Sequence, residues 1–298
     1  MNFYYLDGRL VRGDRNVIRP STHAFNYGTA AIEGMRALWD AEHETWHLFR
    51  SDRHFVRLQR GAVMLGIDWD MTYERFARAV CRLILKNDLR KDLYIRPIVY
   101  HAAEGVGLTR TDNHKLAIYV QLMPFRKAGR KSVCLVPQRR PTDGSCSVKI
   151  AGNYALSFMA QSSAREKGFS AGIMLSSDGY LSEAAVMNLF WVRDGALFTP
   201  SLDCGPLPGI TRDCVITIAR ELLGVKVCEG KYRPRALLSA DEIFLCGTGT
   251  AIAPVDRFGD RQLSVRKDSL TAQIWSHYRR ILRSRPRKYS DWFRSVTD

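Results

Sequence analysis

The sequence predicts a two-domain protein of mixed α+β and α/β character. Helical and strand periodicities interleave along the chain instead of separating into one class. Near the middle they are interrupted by a charged stretch with a glycine, Phe125-Arg126-Lys127-Ala128-Gly129-Arg130-Lys131, which reads as a linker. The 298 residues, 46% of them hydrophobic, are enough for one large or two medium domains with ordinary cores. The expected division is a small α+β domain over residues 1–124, a linker over 125–131 and a larger domain over 132–298.

Each element follows from local pattern. Residues 3–7 and 9–11 read as a hairpin turning at Asp7-Gly8. His23 to Arg36 has a helical middle and a glycine close, followed by strand-like Ala37-Leu38-Trp39. The strand Thr45–Phe49 delivers Arg50, and Ser51 or Asp52 then caps a helix through Leu58 to Leu65. A second helix fits Thr72 to Asn87, with Phe76, Val80, Leu83 and Ile84 on one face. Strands at 93–100 and 116–122 complete the first domain. In the second, a strand at 133–136 precedes a loop at 137–147, and Ser147–Ile150 reads as the end of a short buried strand. A helix follows from Tyr154 to Lys167, with Ala155, Phe158, Met159 and Ser162 on one face. Strands at 171–175, 189–192 and 241–246 and helices at 211–223 and 269–282 account for the remainder.

The totals exclude several classes. No apolar run approaches the roughly 20 residues of a membrane span. The N-terminus, MNFYYLDGRLVRGD, lacks a signal-peptide core, so a cytoplasmic protein is expected. Cys81, Cys134, Cys146, Cys204, Cys214, Cys228 and Cys246 form no CxxC pair, which argues against a zinc site or a disulfide framework. The net charge of +15 suits anionic small molecules. Its densest run, Arg279 to Lys288, reads as a solvated helix end entering a tail, and nucleic acid is not the expected partner.

The chemistry centres on Lys149, between Val148 and Ile150. Burial in an apolar wall would depress its ammonium pKa and prepare an amine able to form a Schiff base; the plainer alternative is a lysine that snorkels to water. Two stretches suit anions. Gly205-Pro206-Leu207-Pro208-Gly209-Ile210-Thr211-Arg212 opens a helix whose first N–H groups and a hydroxyl face outward. Gly247-Thr248-Gly249-Thr250 ends an apolar strand. Either is also ordinary turn chemistry, and neither is a GxxxxGK[ST] nucleotide loop. Glu183, flanked by small and apolar residues, needs a partner if buried: a protonated pyridine nitrogen, a local cap or an arginine. With Tyr154 and Arg50 added, these are the parts needed to hold pyridoxal phosphate.

Over nearly its whole length, from about Asp7 to Val255, the chain resembles the fold-type IV pyridoxal-phosphate enzymes, and within them the branched-chain amino acid aminotransferases. The marks are His23-x-x-x-Tyr27-Gly28, Glu33-Gly34-x-Arg36, Tyr94-x-Arg96-Pro97 and Lys149-x-x-Gly152-Asn153-Tyr154. They continue with Ser182-Glu183, Asn188-Leu189-Phe190, Leu207 to Arg212, Gly247-Thr248 and Pro254-Val255. The resemblance implies a cofactor at the domain interface and Lys149 as both Schiff-base lysine and the acid/base that moves the proton between Cα and C4′. It implies that Tyr154 hydrogen-bonds O3′, that Glu183 pairs with the pyridine nitrogen, and that Arg50, Ile210, Thr211 and Thr248 hold the phosphate, with Asn188 also in the cofactor set. Tyr94 with Thr248, Gly249 and Thr250 would receive the substrate α-carboxylate, and Tyr27, Ile32 and Arg96 would line the side-chain pocket. A partner subunit would complete that pocket, making at least a homodimer.

Three departures bear on substrate. Ile32 stands where an aromatic residue is usual before Glu-Gly, Thr248-Gly249-Thr250 replaces a small alanine-rich turn, and the loop Glu104 to Arg110 ends in an added cation. The expected reaction is transfer of an amino group from a branched or otherwise hydrophobic L-amino acid to 2-oxoglutarate through pyridoxamine phosphate. A D-amino-acid or amine aminotransferase, or an aminodeoxychorismate lyase, is the alternative on the same fold.

Overall fold

A computed structural model of the chain describes residues 3–13 and 18–297. In chain order it begins with β1 (Phe3–Leu6), β2 (Arg9–Arg12), α1 (His23–Tyr27), β3 (Ala30–Ile32), β4 (Met35–Asp40) and β5 (Thr45–Phe49). Helices α2 (Ser51–Met64) and α3 (Tyr73–Asn87) follow, then β6 (Leu93–His101), β7 (His114–Leu122) and β8 (Lys131–Arg140). Next come α4 (Tyr154–Glu166), β9 (Ala171–Ser176), β10 (Leu181–Ala184), β11 (Met187–Arg193), β12 (Ala196–Pro200), α5 (Ile210–Glu221) and β13 (Val227–Gly230). The chain closes with β14 (Glu242–Gly247), β15 (Ala251–Phe258), β16 (Arg261–Gln262), α6 (Leu270–Ser284), a 3₁₀ turn at Arg287–Trp292 and β17 (Phe293–Ser295). No helix among the described residues is long and apolar enough to cross a membrane.

Two compact units emerge. The first comprises the described residues of Met1–Phe125, Val148–Asn153 and Arg285–Asp298; the second comprises Arg126–Ser147 and Tyr154–Ser284. Two segments expected in the second domain, the one bearing Lys149 and the one after α6, therefore pack with the first. Their reason is hydrogen bonding. Ala31 and Ile150 form an isolated bridge, so Ser147–Ile150 is not a strand end, and β17 pairs antiparallel with β5. Lys131, expected in the linker, already lies in β8.

The first unit is a sheet in the order β17-β5-β4-β6-β7-β1-β2, with β3 beside β6. Helices α2 and α3 lie against it over a core that includes Leu48, Phe55, Leu58, Phe76, Leu83 and Ile95. The turn between β1 and β2 has Asp7 and Gly8 both at positive φ, which matches the twist of a two-residue hairpin. The His23–Arg36 stretch is helical at its start and not in its middle. Gly28, left-handed at φ 67°, ends α1, and β3 begins two residues later. Helix α2 starts at Ser51 with Arg50, itself left-handed, as its N-cap. In α3 the Thr72 hydroxyl accepts the Arg75 N–H at 3.3 Å, with Glu74 in the first turn and Lys86 in the last.

The second unit is a sheet in the order β10-β9-β8-β15-β14-β11-β12-β13, with β16 beside β15. Strand β8 runs past the expected Val136, through Pro137 to Arg140, because its pairing with β9 shifts register between Leu135 and Arg139 and needs no N–H there. Helix α4 lies on β8 and β9 through Ser157, Ala160 and Ala164. The face that Ala155, Phe158, Met159 and Ser162 share is largely open, with Phe158 and Met159 exposed. Small side chains bring this helix close to the sheet, with Leu156 packed beside them, while Phe158 and Met159 face away.

Thr72→Ala is expected to cost about 1 kcal/mol through loss of the α3 cap. Denaturant unfolding checks it, as a lower midpoint at unchanged slope.

Candidate active site

Within the first unit, Lys149 is held by its main chain. Its carbonyl accepts the Ile32 N–H at 2.9 Å, and the Gly152 N–H donates to the Gly28 carbonyl at 3.0 Å. A Cβ on Gly28 would sit 2.7 Å from Gly152 Cα, so only glycine permits this approach. Val148 is buried, whereas Lys149 itself is half-buried and not enclosed as expected. The pin joins Lys149 directly to Ile32, a buried residue expected to wall the substrate pocket. Strand β6 supplies Tyr94 and Arg96, with Arg96 Nη2 donating to the Tyr94 hydroxyl at 2.6 Å. Gly34 leaves room for that tyrosine, since a Cβ there would overlap its hydroxyl. Tyr27, half-buried at the end of α1, accepts the Gly107 N–H at 2.9 Å through its hydroxyl. Arg50 is buried at the head of α2.

The same unit contains a buried ionic cluster to which the sequence reading gave no role. Glu33 is fully buried and accepts from Arg57 Nε at 2.5 Å and Arg57 Nη2 at 3.0 Å, and its Oε2 lies 2.7 Å from His54 Nδ1. Burial alone would push the Glu33 carboxyl up, but Arg57 and His54 together hold it far below the usual carboxylate range. Burial lowers the His54 pKa, and the positive charge of Lys149 acts in the same direction. A signal was available: His54 and Arg57 fall among the buried positions of α2, with Phe55, Leu58, Gly61 and Ala62.

In the second unit, Glu183 and Asn188 are directly opposite each other on β10 and β11. Glu183 Oε1 lies 2.9 Å from Arg140 Nη2, and both side chains are buried. Asn188 Nδ2 contacts Glu183 Oε2 at 3.2 Å and donates to the Leu207 carbonyl at 2.8 Å. The carboxylate is thus tied to the loop that leads into α5. Arg140 was not singled out from sequence, because it lies 43 positions from Glu183 in a stretch read as loop. Ile210 and Thr211 are buried at the start of α5, whose N-cap, Gly209, offers no side-chain bond to the first-turn N–H groups. Arg212 turns to Glu229 at 2.8 Å and the Pro200 carbonyl at 3.0 Å. Thr248, Gly249 and Thr250 form the turn between β14 and β15, where Gly247 pairs with Ala251. Tyr154 is the half-buried first residue of α4.

The profile of a family described as Amino-transferase class IV matches residues 30–258. The chain belongs to the class IV aminotransferases. Among its relatives is a probable branched-chain-amino-acid aminotransferase of Aquifex aeolicus, 31% identical over an alignment covering 100% of this chain and 98% of the relative. The crystal structure of a branched-chain aminotransferase from Thermoproteus uzoniensis with norvaline superposes with a TM-score of 0.91 at 34% identity, covering 99% of each chain. That of the Thermobaculum terrenum enzyme in its pyridoxal-phosphate form gives 0.93 at 26% identity, covering 100% of this chain and 99% of the other.

This class IV aminotransferase has the fold-type IV architecture and depends on pyridoxal 5′-phosphate. Its residues fit that group. A 12-residue helix that starts buried without a side-chain cap suits a dianion, and a buried carboxylate paired with an arginine suits a cationic ring nitrogen.

Stability should fall on acidification. The unfolded Glu33 carboxyl takes up its proton near its ordinary value of 4.5, while the folded one remains ionised to much lower pH. Its stabilising contribution is therefore complete above that value and is lost as pH falls below it. Glu33→Gln is expected to remove this acid limb and to cost about 3–5 kcal/mol at neutral pH by leaving Arg57 buried without its anion. Denaturant midpoints at several pH values check both.

Proposed function

We propose that this class IV aminotransferase moves the amino group of a branched or otherwise hydrophobic L-amino acid to 2-oxoglutarate in the cytoplasm. The observation that carries the reading is the hydrogen bond from the Ile32 N–H to the Lys149 carbonyl. It fixes the reactive lysine to an apolar residue of the expected side-chain pocket. The names borne by the relatives and neighbours support the same substrate class.

When bound, pyridoxal phosphate supplies a reactive aldehyde carbon and an electron-accepting ring. Lys149 Nζ would bind that carbon and, as an acid/base, would move the proton between the substrate Cα and C4′. The Tyr154 hydroxyl binds O3′. Glu183, kept ionised by Arg140 and oriented by Asn188, holds the proton on the ring nitrogen. Arg50, Thr248 and the first N–H groups of α5 at Ile210 and Thr211 bind the phosphate. Tyr94, Thr248, Gly249 and Thr250 receive the α-carboxylate, and Tyr27, Ile32 and Arg96 line the pocket for the rest of the substrate. Arg96 Nε is buried without a hydrogen-bond partner among the described residues, which suits the second carboxylate of 2-oxoglutarate. At least a homodimer is part of the proposal. Val106, Leu108, Phe158 and Met159 are all exposed, and a second copy would give these apolar side chains cover.

The test is a single-turnover reaction with a panel of L- and D-amino acids, followed by the visible absorption of the bound cofactor. L-Leucine, L-isoleucine or L-valine should bleach it, 2-oxoglutarate should restore it, and Lys149→Ala should abolish both changes. A response confined to D-amino acids or amines, or bleaching that no 2-oxo acid reverses, would overturn the substrate assignment. Ile32→Phe is expected to change the kcat/KM ratio between leucine and valine by about tenfold, the size typical of one altered pocket contact.

A further inference from the structure

The two residues that hold Glu183 also hold the turn before α5. Arg140, at the end of β8, places Nη2 2.9 Å from Glu183 Oε1 and donates from Nε to the Gly205 carbonyl at 3.3 Å. Asn188, in β11, reaches Glu183 Oε2 at 3.2 Å and donates from the same Nδ2 to the Leu207 carbonyl at 2.8 Å. Arg140, Glu183 and Asn188 are all buried. The carboxylate and the turn over residues 205–209 are therefore tied together twice, once through a cation and once through an amide.

The turn is built to accept these ties. Pro206 and Pro208 have no N–H, so this stretch cannot join a strand ladder, and both ties reach it through carbonyls. Each of its two glycines stands against one of the tying residues. A Cβ on Gly205 would overlap the Pro141 carbonyl oxygen and lie 3.2 Å from Arg140 Cβ, and one on Gly209 would overlap Asn188 Oδ1. Only glycine allows either approach. The tying residues are themselves anchored in the sheet. Arg140 pairs with Ser176 of β9, and its carbonyl accepts the Ser177 N–H at 3.1 Å, while Asn188 pairs with Cys246 of β14. Immediately after Gly209, α5 begins at the buried Ile210.

We propose that Arg140 and Asn188 are positioning residues for phosphate binding. By fastening the turn to the Glu183 carboxylate they set the first N–H groups of α5 before the anion arrives, so the phosphate meets donors already in place. The proposal rests on the reading of the α5 start as the phosphate site. Neither residue is assigned to the phosphate itself, so its effect there must pass through the turn. A turn released from one tie would have to be ordered on binding, and that cost would fall on the phosphate-bearing ligand.

The experiment compares affinities of the full-length, cofactor-resolved protein for pyridoxal phosphate and for pyridoxal, which lacks the phosphate. Their ratio is the phosphate preference. Arg140→Lys keeps a cation for Glu183 and loses the Nε bond to Gly205. It is expected to lower the preference about tenfold, the scale of one hydrogen bond from a charged donor, with pyridoxal affinity kept. Asn188→Ala is expected to lower the preference about fivefold, the scale of one neutral bond, beyond any loss common to both ligands. Thr211→Ala, which removes a hydroxyl from the α5 start itself, should lower it as well. If Thr211→Ala leaves the preference intact, the phosphate reading of α5 fails and takes the proposal with it. If Thr211→Ala lowers it and either Arg140→Lys or Asn188→Ala does not, the proposal is overturned while α5 keeps its assignment. An equal loss for both ligands counts as an unchanged preference, the mark of a merely structural role. Should one of the two variants not fold, the other decides alone.

Discussion

The site in this chain depends on a main-chain constraint more than on any side chain. Lys149, the proposed catalytic lysine, has its amine at the end of a long flexible stem, and such a group is useful only if its root does not move. The root is fixed by the Ile32 N–H on the Lys149 carbonyl and by the contact of Gly28 with Gly152. Both anchors come from the α1–β3 region, and both act on backbone atoms, so neither engages the lysine amine. The segment Val148–Asn153 belongs to the first unit although the chain on either side of it belongs to the second.

Two carboxylates show how the protein keeps charge inside. Glu33 lies within a bidentate arginine and a histidine, and Glu183 has an arginine and an asparagine. An isolated ion at such depth would neutralise or unfold the structure, so each pairing is a condition for the charge to exist there. The two differ in what surrounds them. Glu33 is fully buried and follows Ile32, the residue whose N–H holds the Lys149 carbonyl. Glu183 is bonded onward through Asn188 to Leu207 and the loop before α5, which couples it to the helix start proposed to bind the phosphate.

Much of the fold was legible because it is local. The period of α3 and the alternation of β6 are set by neighbours three, four or two positions away, and both elements lie within a residue of where pattern puts them. Lys149 and the Leu207–Arg212 turn were legible as motifs. What pattern missed was set at long range. In α4 the pattern placed Ala155, Phe158, Met159 and Ser162 on one face, but the sheet is met by Ser157, Ala160 and Ala164 with Leu156 beside them, and periodicity carries no information on how closely a helix approaches. The pairing of Arg140 with Glu183 and the contact of Trp292 with Arg50 join residues tens to hundreds of positions apart. Each of these was visible as a residue type and invisible as a contact. The docking of the segment Tyr289–Phe293 was likewise open in the sequence, where an alternating apolar and basic tail suits packing on the body or a loose end; the strand pairing of Phe293–Ser295 with β5 is what the structure adds.

The place of β17 in the sheet has a consequence for biogenesis. It forms the border beyond β5, so until residues 293–295 have been synthesised, the N–H and C=O groups along that side of Thr45–Phe49 have no strand beside them. The nascent chain must carry this open border through the translation of more than two hundred further residues. A ribosome that stalls late would leave a unit with most of its core and a bare β edge, the kind of species that pairs with copies of itself. Folding of the first unit is thus closed by residues made after those of the second, and its exposure to chaperones lasts as long as that synthesis.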